Sequence, residues 1–531
     1  MPWKYLFLTV NTMNMKFLVS FLFPLLLGIH LSAQSLPLDS SFGENGILRL
    51  QQGFSTGLRD LELLPDGKLL LAGTTNDYVY LARYLPDGSP DPGFGNQGIL
   101  PFYPGNVGYH NDLLPLPDGK IVSISQSKDY ASPFQTPLFA VARFNADGSP
   151  DSTFGQAGVS VTKVDAWGGF SQYGALQPDG KILAMGWANS GTTWVRYHAD
   201  GKIDSSFSEN GITNLPGFGS VVPICLAIQP NGSILTAGVE ALGSVPTKSL
   251  VSRLLPDGNP DPAFGVNGVS SPWFGYDLEA VSDLAVLADG RMLLVGYVSG
   301  PTVDAFALFR LNANGTPDLT FGDQGIKTFS LGFQNVLTKV DVLPDGRFIA
   351  LGHFNEQPSI GFVAPTQSVV FCFLPDGSLD TSFNGTGLGT LLVEHSNYSH
   401  KQILYPDGRL LIGGGFYETD TTPPHSFLAR ILIPKTSATV LPEWLEHMGV
   451  SPNPASQQTE LQFSLSQANS IQVDLMSAGL HRIKTIVSRT RMPAGDYKYK
   501  VDLSMLPAGI YYLVVEGDEG IKFVPLIKTG P

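Results

Sequence analysis

Apolar residues recur in short runs along almost the whole chain, and no long stretch keeps the 3.6-residue period of a helix. Runs such as Leu69-Leu70-Leu71-Ala72-Gly73 and Tyr80-Leu81-Ala82-Arg83-Tyr84 are brief and end at turn formers. That length and that punctuation predict β-strands. One stretch gives the order. Ile47-Leu48-Arg49-Leu50 (strand A) is followed by Leu61-Glu62-Leu63-Leu64 (B), Pro65-Asp66-Gly67, Leu69 to Gly73 (C) and Tyr80 to Tyr84 (D). Proline presets φ and glycine takes a positive φ, so B and C are joined as a hairpin.

The stretch then repeats. Asp-x-x-Phe-x-x-x-Gly begins at Asp39, Asp91, Asp151, Asp204, Asp261, Asp318 and Asp380, with spacings of 52, 60, 53, 57, 57 and 62 residues. A turn close to Pro-Asp-Gly ends at Gly67, Gly119, Gly180, Gly232, Gly290, Gly346 and Gly408. An arginine stands five residues before a glycine at Arg83, Arg143, Arg196, Arg253 and Arg310; Cys372 takes that place in unit six, and Arg430 follows in unit seven. Four strands per unit and no helical period predict an all-β fold, a seven-bladed β-propeller built from seven repeats of about 57 residues over residues 34–433. The alternative is an open solenoid, which leaves its end edges uncovered. With the strands of a unit laid A to D, the B–C and D–A turns share one face, and the A–B and C–D loops share the other. The Asp-Gly turns mark the first face as framework. The second carries the length variation, 10 to 20 residues from strand C to the Arg position.

The two ends read differently. Residues 15–33 carry Lys16, an apolar run from Phe17 to Leu31 and small residues before Ala33, so residues 1–33 are expected to be a signal peptide starting at Met15 and cut between Ala33 and Gln34. The run is short of the ~20 residues of a membrane span, and no transmembrane segment is expected elsewhere. Residues 434–450 read as a linker. From 451 to 531, alternating segments at Leu461–Leu465, Ile471–Leu475, Tyr497–Val501 and Tyr511–Val515 predict a small antiparallel β-sandwich.

The repeat segments resemble the delta-60 repeat family. Ser208 and Asn384 replace the glycine after the motif phenylalanine, and Asn231 replaces the turn aspartate. The resemblance implies a propeller-like fold and brings no reaction with it. The terminal sandwich resembles the type A C-terminal sorting domain of the type IX secretion system. The matching residues are Pro452-Asn453-Pro454, the run from Leu506 through Gly509 to Tyr511, and the closing segment from Lys522 to Lys528, with Pro525 as a departure. This resemblance implies type IX secretion machinery as a partner, periplasmic transit, passage across a Bacteroidota-type outer membrane and a final place outside the cell or on its surface.

Composition narrows the function. Lysine and arginine number 32 against 46 acidic residues, a net charge of −14, which excludes the basic surface of a nucleic-acid binder. The nine histidines form no metal pair. No Gly-x-Ser-x-Gly elbow, Walker loop or dinucleotide loop is present. Paired aspartates recur at Asp87/Asp91, Asp147/Asp151, Asp200/Asp204 and Asp257/Asp261. They suit either Ca²⁺ or turn hydrogen bonds, and without an Asp-x-Asp-x-Asp ladder the turn reading is preferred. The repeated arginine is expected to pair with a neighbouring aspartate. Cys225 and Cys372 lie in non-adjacent units and are expected to be buried free thiols. No catalytic residue is assigned.

Candidate binding residues follow from the loop face. Each A–B loop carries an aromatic: Phe54, Tyr109, Phe170, Phe218, Tyr276, Phe333 and Tyr398. Trp167, Trp187, Trp194 and Trp273 cluster in or beside loops of the same face. Aromatics there either stack on a ligand or plug gaps between blades. The candidate set is Tyr109, Trp167, Phe170, Trp187, Trp194, Trp273, Tyr276 and Tyr398, and the expected ligand is an extracellular glycan or protein. The expected function is a non-catalytic binding or scaffold propeller, with a glycan-active hydrolase or lyase as the alternative. A carboxylate pair about 5–9.5 Å apart at the mouth favours the latter.

Overall fold

A computed structural model describes residues 34–528 apart from 51–56, 75–78, 103–106, 130–135, 167, 190, 216–220, 243–244, 277, 300–303, 356–365, 395, 406, 420–424, 434–444, 453–454, 478–481, 507–508 and 518–519. The expected signal segment and its cleavage point at Ala33 lie outside the described residues. No helix occurs among them. The protein is an all-β propeller followed by a β-sandwich.

Seven antiparallel sheets form the propeller region among the described residues. In the first blade, Leu58–Leu63 is innermost, followed by Leu69–Thr74, Val79–Tyr84 and Ile99–Phe102. The next blades begin at Val107–Pro115, Gly169–Leu176, Val221–Ile228, Leu278–Val286, Asn335–Val342 and Ser396–Leu404. Gly67, at φ 82°, closes the first B–C turn as its sequence predicts.

One expectation is corrected. Strand A does not start its own unit's sheet; it finishes the sheet before it. Ile99–Phe102 pairs with Val79–Tyr84, with Ala82 opposite Ile99. The D–A connection folds the chain back on itself, whereas the A–B connection crosses to the next blade. The framework and loop faces keep their assignment, because strand directions are unchanged. The shift leaves the first A strand, Ile47–Arg49, without a preceding D strand. It pairs instead with His425–Leu432 and completes the last sheet, Ala429 opposite Ile47. Before it, Gln34–Ser35 runs parallel to Leu388–Leu391 as a fifth strand of blade six.

The cores lie between sheets. Leu70, Ala72 and Leu81 of blade one pack with Leu113, Ile121 and Ala140 of blade two. Blade seven packs on blade one in the same way. A Cβ on Gly413 would lie 2.6 Å from the Leu58 side chain, so the two blades are in close contact there. The array therefore closes on itself, which an open solenoid does not.

The sandwich has one sheet of Leu445–Ser451, Gln458–Leu465 and Gly495–Asp502. The other orders Arg482–Met492, Asn469–Ser477, Gly509–Gly517 and Gly520–Lys528. Its first strand starts inside the stretch read as linker. The closing strand runs through Pro525, opposite Tyr512.

Candidate ligand-binding face

The framework face is built by one repeated device. In blade two, Arg143 Nε donates to Asp151 Oδ2 at 2.7 Å, and its guanidinium lies 4.8 Å from the Phe154 ring centroid. Its Nη1 donates to the Ala199 carbonyl of the next blade. Asp151 also accepts Lys120 Nζ at 2.9 Å and the Thr153 amide and hydroxyl at 3.0 and 2.6 Å. Hydrogen bonds from Lys120 and Thr153 hold the Asp151 carboxyl well below the usual range against the pull of burial, and Arg143 adds to them. The arginine thus joins its aspartate, its phenylalanine and the next blade. The same pairing holds at Arg83–Asp91, Arg196–Asp204, Arg253–Asp261 and Arg310–Asp318, all within 2.6–2.8 Å.

Two copies vary it. At the seam, Arg430 comes from the end of the array and Asp39 and Phe42 from its beginning. Arg430 Nε meets Asp39 Oδ2 at 2.8 Å, and Nη1 donates to Pro86 O of blade one. In blade six, Cys372 replaces the arginine. Arg347 from the B–C turn reaches in instead, Nη1 to Asp380 Oδ2 at 2.8 Å. Burial pushes the Cys372 thiol up to about 12, and Cys225 is likewise raised; both are buried and free. The paired aspartates expected either to bind Ca²⁺ or to fix turns accept hydrogen bonds from turn amides, hydroxyls and cations. Asp87 Oδ1, for example, accepts the Ser89 amide and hydroxyl at 2.9 and 2.7 Å.

The inner strands carry a second device. First strands of successive blades touch one another around the ring, blade seven against blade one included. Each has a register break at the same place, before Asp60, Asp112, Tyr173, Cys225, Asp283, Lys339 and Lys401. The extra residue frees a backbone N–H. The neighbouring blade's aspartate takes it: Asp60 Oδ2 accepts Leu113 N at 2.7 Å, Asp112 Oδ2 accepts Gly174 N at 2.7 Å, and Asp283 Oδ2 accepts Val340 N at 3.1 Å. Lys401 Nζ lies 2.7 Å from Asp60 Oδ1, and Lys339 Nζ 3.3 Å from Asp283 Oδ1. Two cations do not balance this ring. Burial, and then the charge of Asp60, push Asp112 up to about 8. Burial and Asp283 raise Asp341 to about 6, and Glu62 is raised by burial beside Asp60 and Asp112. These residues escaped the sequence reading, although each stands seven positions before the glycine of the B–C turn.

The loop face receives the predicted aromatics unevenly. Trp273 is 72% exposed, its indole Nε1 donating to Tyr276 O at 3.3 Å. Tyr276 is half-buried against the blade-five core. Phe333, on the next crossover, is 40% exposed. Phe170 and Trp187 are half-buried and tilted together, centroids 5.9 Å apart. Tyr398 is half-buried beside His400 and Tyr417, at 6.0 and 6.2 Å. Trp194 is a correction. It is fully buried in strand Gly191–Tyr197, its Nε1 donating to Thr236 Oγ1 at 3.1 Å, so it is core. Tyr109 pairs through its backbone with Gln126, and its side chain lies outside the described residues, as do Trp167, Phe54 and Phe218.

Two family models match the chain. "Domain of unknown function (DUF5122) beta-propeller" matches residues 64–94, 116–154, 177–207, 229–264, 287–321 and 343–383. "Secretion system C-terminal sorting domain" matches residues 449–528. The chain carries DUF5122 propeller repeats and a type IX sorting domain. The sorting domain indicates secretion or attachment to the cell surface. No curated protein matches. Similar solved structures include Drosophila plexin A in complex with semaphorin 1b, at 9% identity and TM-score 0.40, covering 75% of this chain and 88% of that one. A luciferin-regenerating enzyme shows 10% identity and TM-score 0.34, covering 73% and 94%. Prolyl oligopeptidase B from Galerina marginata shows 10% and 0.38, covering 78% and 56%.

Each DUF5122 match runs from the B–C turn to the motif phenylalanine. The family likeness therefore consists of the hairpin, strand D and the arginine device. Trp273, Phe333 and Tyr398 lie outside every matched span. Within the sorting domain, Pro452 O accepts Thr459 Oγ1 at 2.7 Å, and Tyr511 is buried in the sandwich core. Gly509 pairs with Lys528 and Val515 with Lys522 across the closing hairpin. Asn453 and Pro454 lie outside the described residues.

Proposed function

We propose that residues 34–433 form an exported, non-catalytic binding or scaffold propeller that meets its ligand on the loop face, with residues 451–531 as the sorting domain. The observation that carries this reading is the division of labour between the faces. On the framework face the repeated charges are consumed by holding blades together. On the loop face, Trp273 and Phe333 stand exposed on consecutive crossovers, outside the matched family spans. Exposed aromatics on a rigid frame anchor sugars and protein partners at low entropic cost.

The test is a glycan and extracellular-protein array probed with the full chain, followed by Trp273→Ala. Binding is expected to fall at least about tenfold, as for a hot-spot aromatic, while stability changes by less than about 0.5 kcal/mol. Trp194→Ala should cost about 3–5 kcal/mol in the same melt. If Trp273→Ala lowers the melting temperature as Trp194→Ala does, the binding-face assignment fails.

A further inference from the structure

At the seam between blades seven and one, the loop face meets the inner strands, and several side chains there are left without partners. Arg59 is the extra residue of the register break in Leu58–Leu63. Its guanidinium is exposed and makes no hydrogen bond or ion pair among the described residues. The repeated arginines of the framework are all engaged, so this one stands apart.

Beside it runs the inner strand of blade seven. His400 Nε2 donates to Leu58 O at 2.8 Å, tying the two strands together. Burial lowers the His400 imidazole to about 4, so its ring is neutral, and Nδ1 is a buried acceptor with no partner. Tyr398 stacks on that ring at an interplanar angle of 25°, and Tyr417 lies 6.2 Å from Tyr398, tilted by 43°. Gly415 clears space for Tyr398: a Cβ there would lie 2.5 Å from the hydroxyl. The Tyr398 hydroxyl makes no hydrogen bond among the described residues, and the charge of Arg59 acts on it. Two tilted aromatic rings, an unpaired guanidinium and a free hydroxyl thus lie close together.

We propose that this mouth binds an acidic sugar, its carboxylate on Arg59 and its ring face on the Tyr398–Tyr417 surface. The guanidinium fork matches a carboxylate in two parallel hydrogen bonds. Aromatic faces take the apolar side of a pyranose, and the Tyr398 hydroxyl offers a partner for a sugar hydroxyl. Asp60, which is paired with Lys401, and Glu62 follow in the ring, which leaves Arg59 as the unpaired cation at this place. One carboxylate among several hydroxyls therefore fits better than a doubly charged phosphate or a run of acidic peptide. The proposal deepens the binding reading of the loop face and rests on it.

The experiment uses an array of carboxylated glycans, their methyl esters, neutral glycans and a glutamate-rich peptide, probed with the full chain and followed by calorimetry on the strongest hit. Carboxylated glycans are expected to bind and their esters to fail. Arg59→Gln should weaken binding by about tenfold or more, the effect of one charged hydrogen bond. Tyr398→Phe, which keeps the ring, should weaken it by a smaller factor and guards against a fold defect in the first variant. Equal binding of acid and ester, preference for the peptide, unaltered affinity in Arg59→Gln, or no carboxylated hit at all overturns the proposal. Binding of another ligand that depends on Trp273 but not on Arg59 would leave the general binding reading standing and this one refuted.

Discussion

Aspartates at the two ends of the blades have opposite electrostatic fates, although both tie one blade to the next. At the framework turns, Asp39 is lowered to about 2: burial works against ionisation, but the Ser41 hydrogen bonds and Arg430 overcome it. At the inner strands, Asp112 rises to about 8, because burial and the Asp60 charge meet no cation of its own. Both carboxyls accept backbone or side-chain hydrogen bonds. What separates them is a guanidinium in contact. The framework end is held by charge pairing and is ionised. The inner end is held by a carboxyl that keeps its proton beside a charged neighbour.

The largest test of this contrast removes the guanidinium. Arg196 and Asp204 are nearly fully buried and 2.8 Å apart, so Arg196→Ala leaves a buried carboxylate short of its main partner. A loss of about 3–5 kcal/mol is expected in denaturant unfolding. Arg347→Ala should cost a similar amount in blade six, where Cys372 stands at the arginine position and offers Asp380 no charge. Losses below about 1 kcal/mol in both would mean that apolar packing alone holds the framework face.

The second test is pH. A carboxyl raised from 3.8 to about 8 contributes stability that is fully present below its ordinary value and is lost as pH climbs through the folded one. Asp112 should therefore erode stability from about pH 4 to pH 8. Asp341, raised to about 6, adds to the lower half of that window. The framework aspartates behave in the opposite sense: their contribution is present above about pH 4 and disappears as pH falls through the lowered values, about 2 for Asp39. Asp112→Asn is expected to flatten the loss between pH 4 and 8, by on the order of a few kcal/mol, and to leave the acid limb intact. Urea midpoints across pH read both limbs, and an unflattened alkaline slope in the variant would show that Asp112 is ionised.

The contrast also marks what the sequence could reveal. The framework was legible because its residue types recur: Asp, Phe and Gly keep their spacing within the motif at all seven copies, Arg stands at six of them, and an arginine near an aspartate reads as a pair. The inner ring was not, since its seven positions hold Asp, Asp, Tyr, Cys, Asp, Lys and Lys. Only the backbone break is common to them, and a break leaves no residue signature. The shift of strand A had a similar cause. The D–A and A–B connections both lie between apolar runs, and composition does not tell which one crosses to the next sheet. Trp194 misled because tryptophan suits a binding surface and a core equally well, and its neighbours Thr192 and Thr193 are polar in type yet buried. Arg59 and Tyr417 were overlooked because neither belongs to a repeated motif.

The smallest predicted effect sharpens the comparison most. Lys181 also reaches Asp204, at 3.2 Å, and Asp179 at 3.1 Å, yet its side chain is 26% exposed. It is a second cation on a carboxylate already paired with Arg196, and water screens it. Lys181→Ala should cost no more than about 1 kcal/mol, several times less than Arg196→Ala. The double variant should lose more than the sum of the two, because only then has Asp204 lost both its arginine and its lysine. Strict additivity would mean that each cation acts on its own surroundings, and that the pairing geometry at Asp204 is not what holds the framework end of the blade.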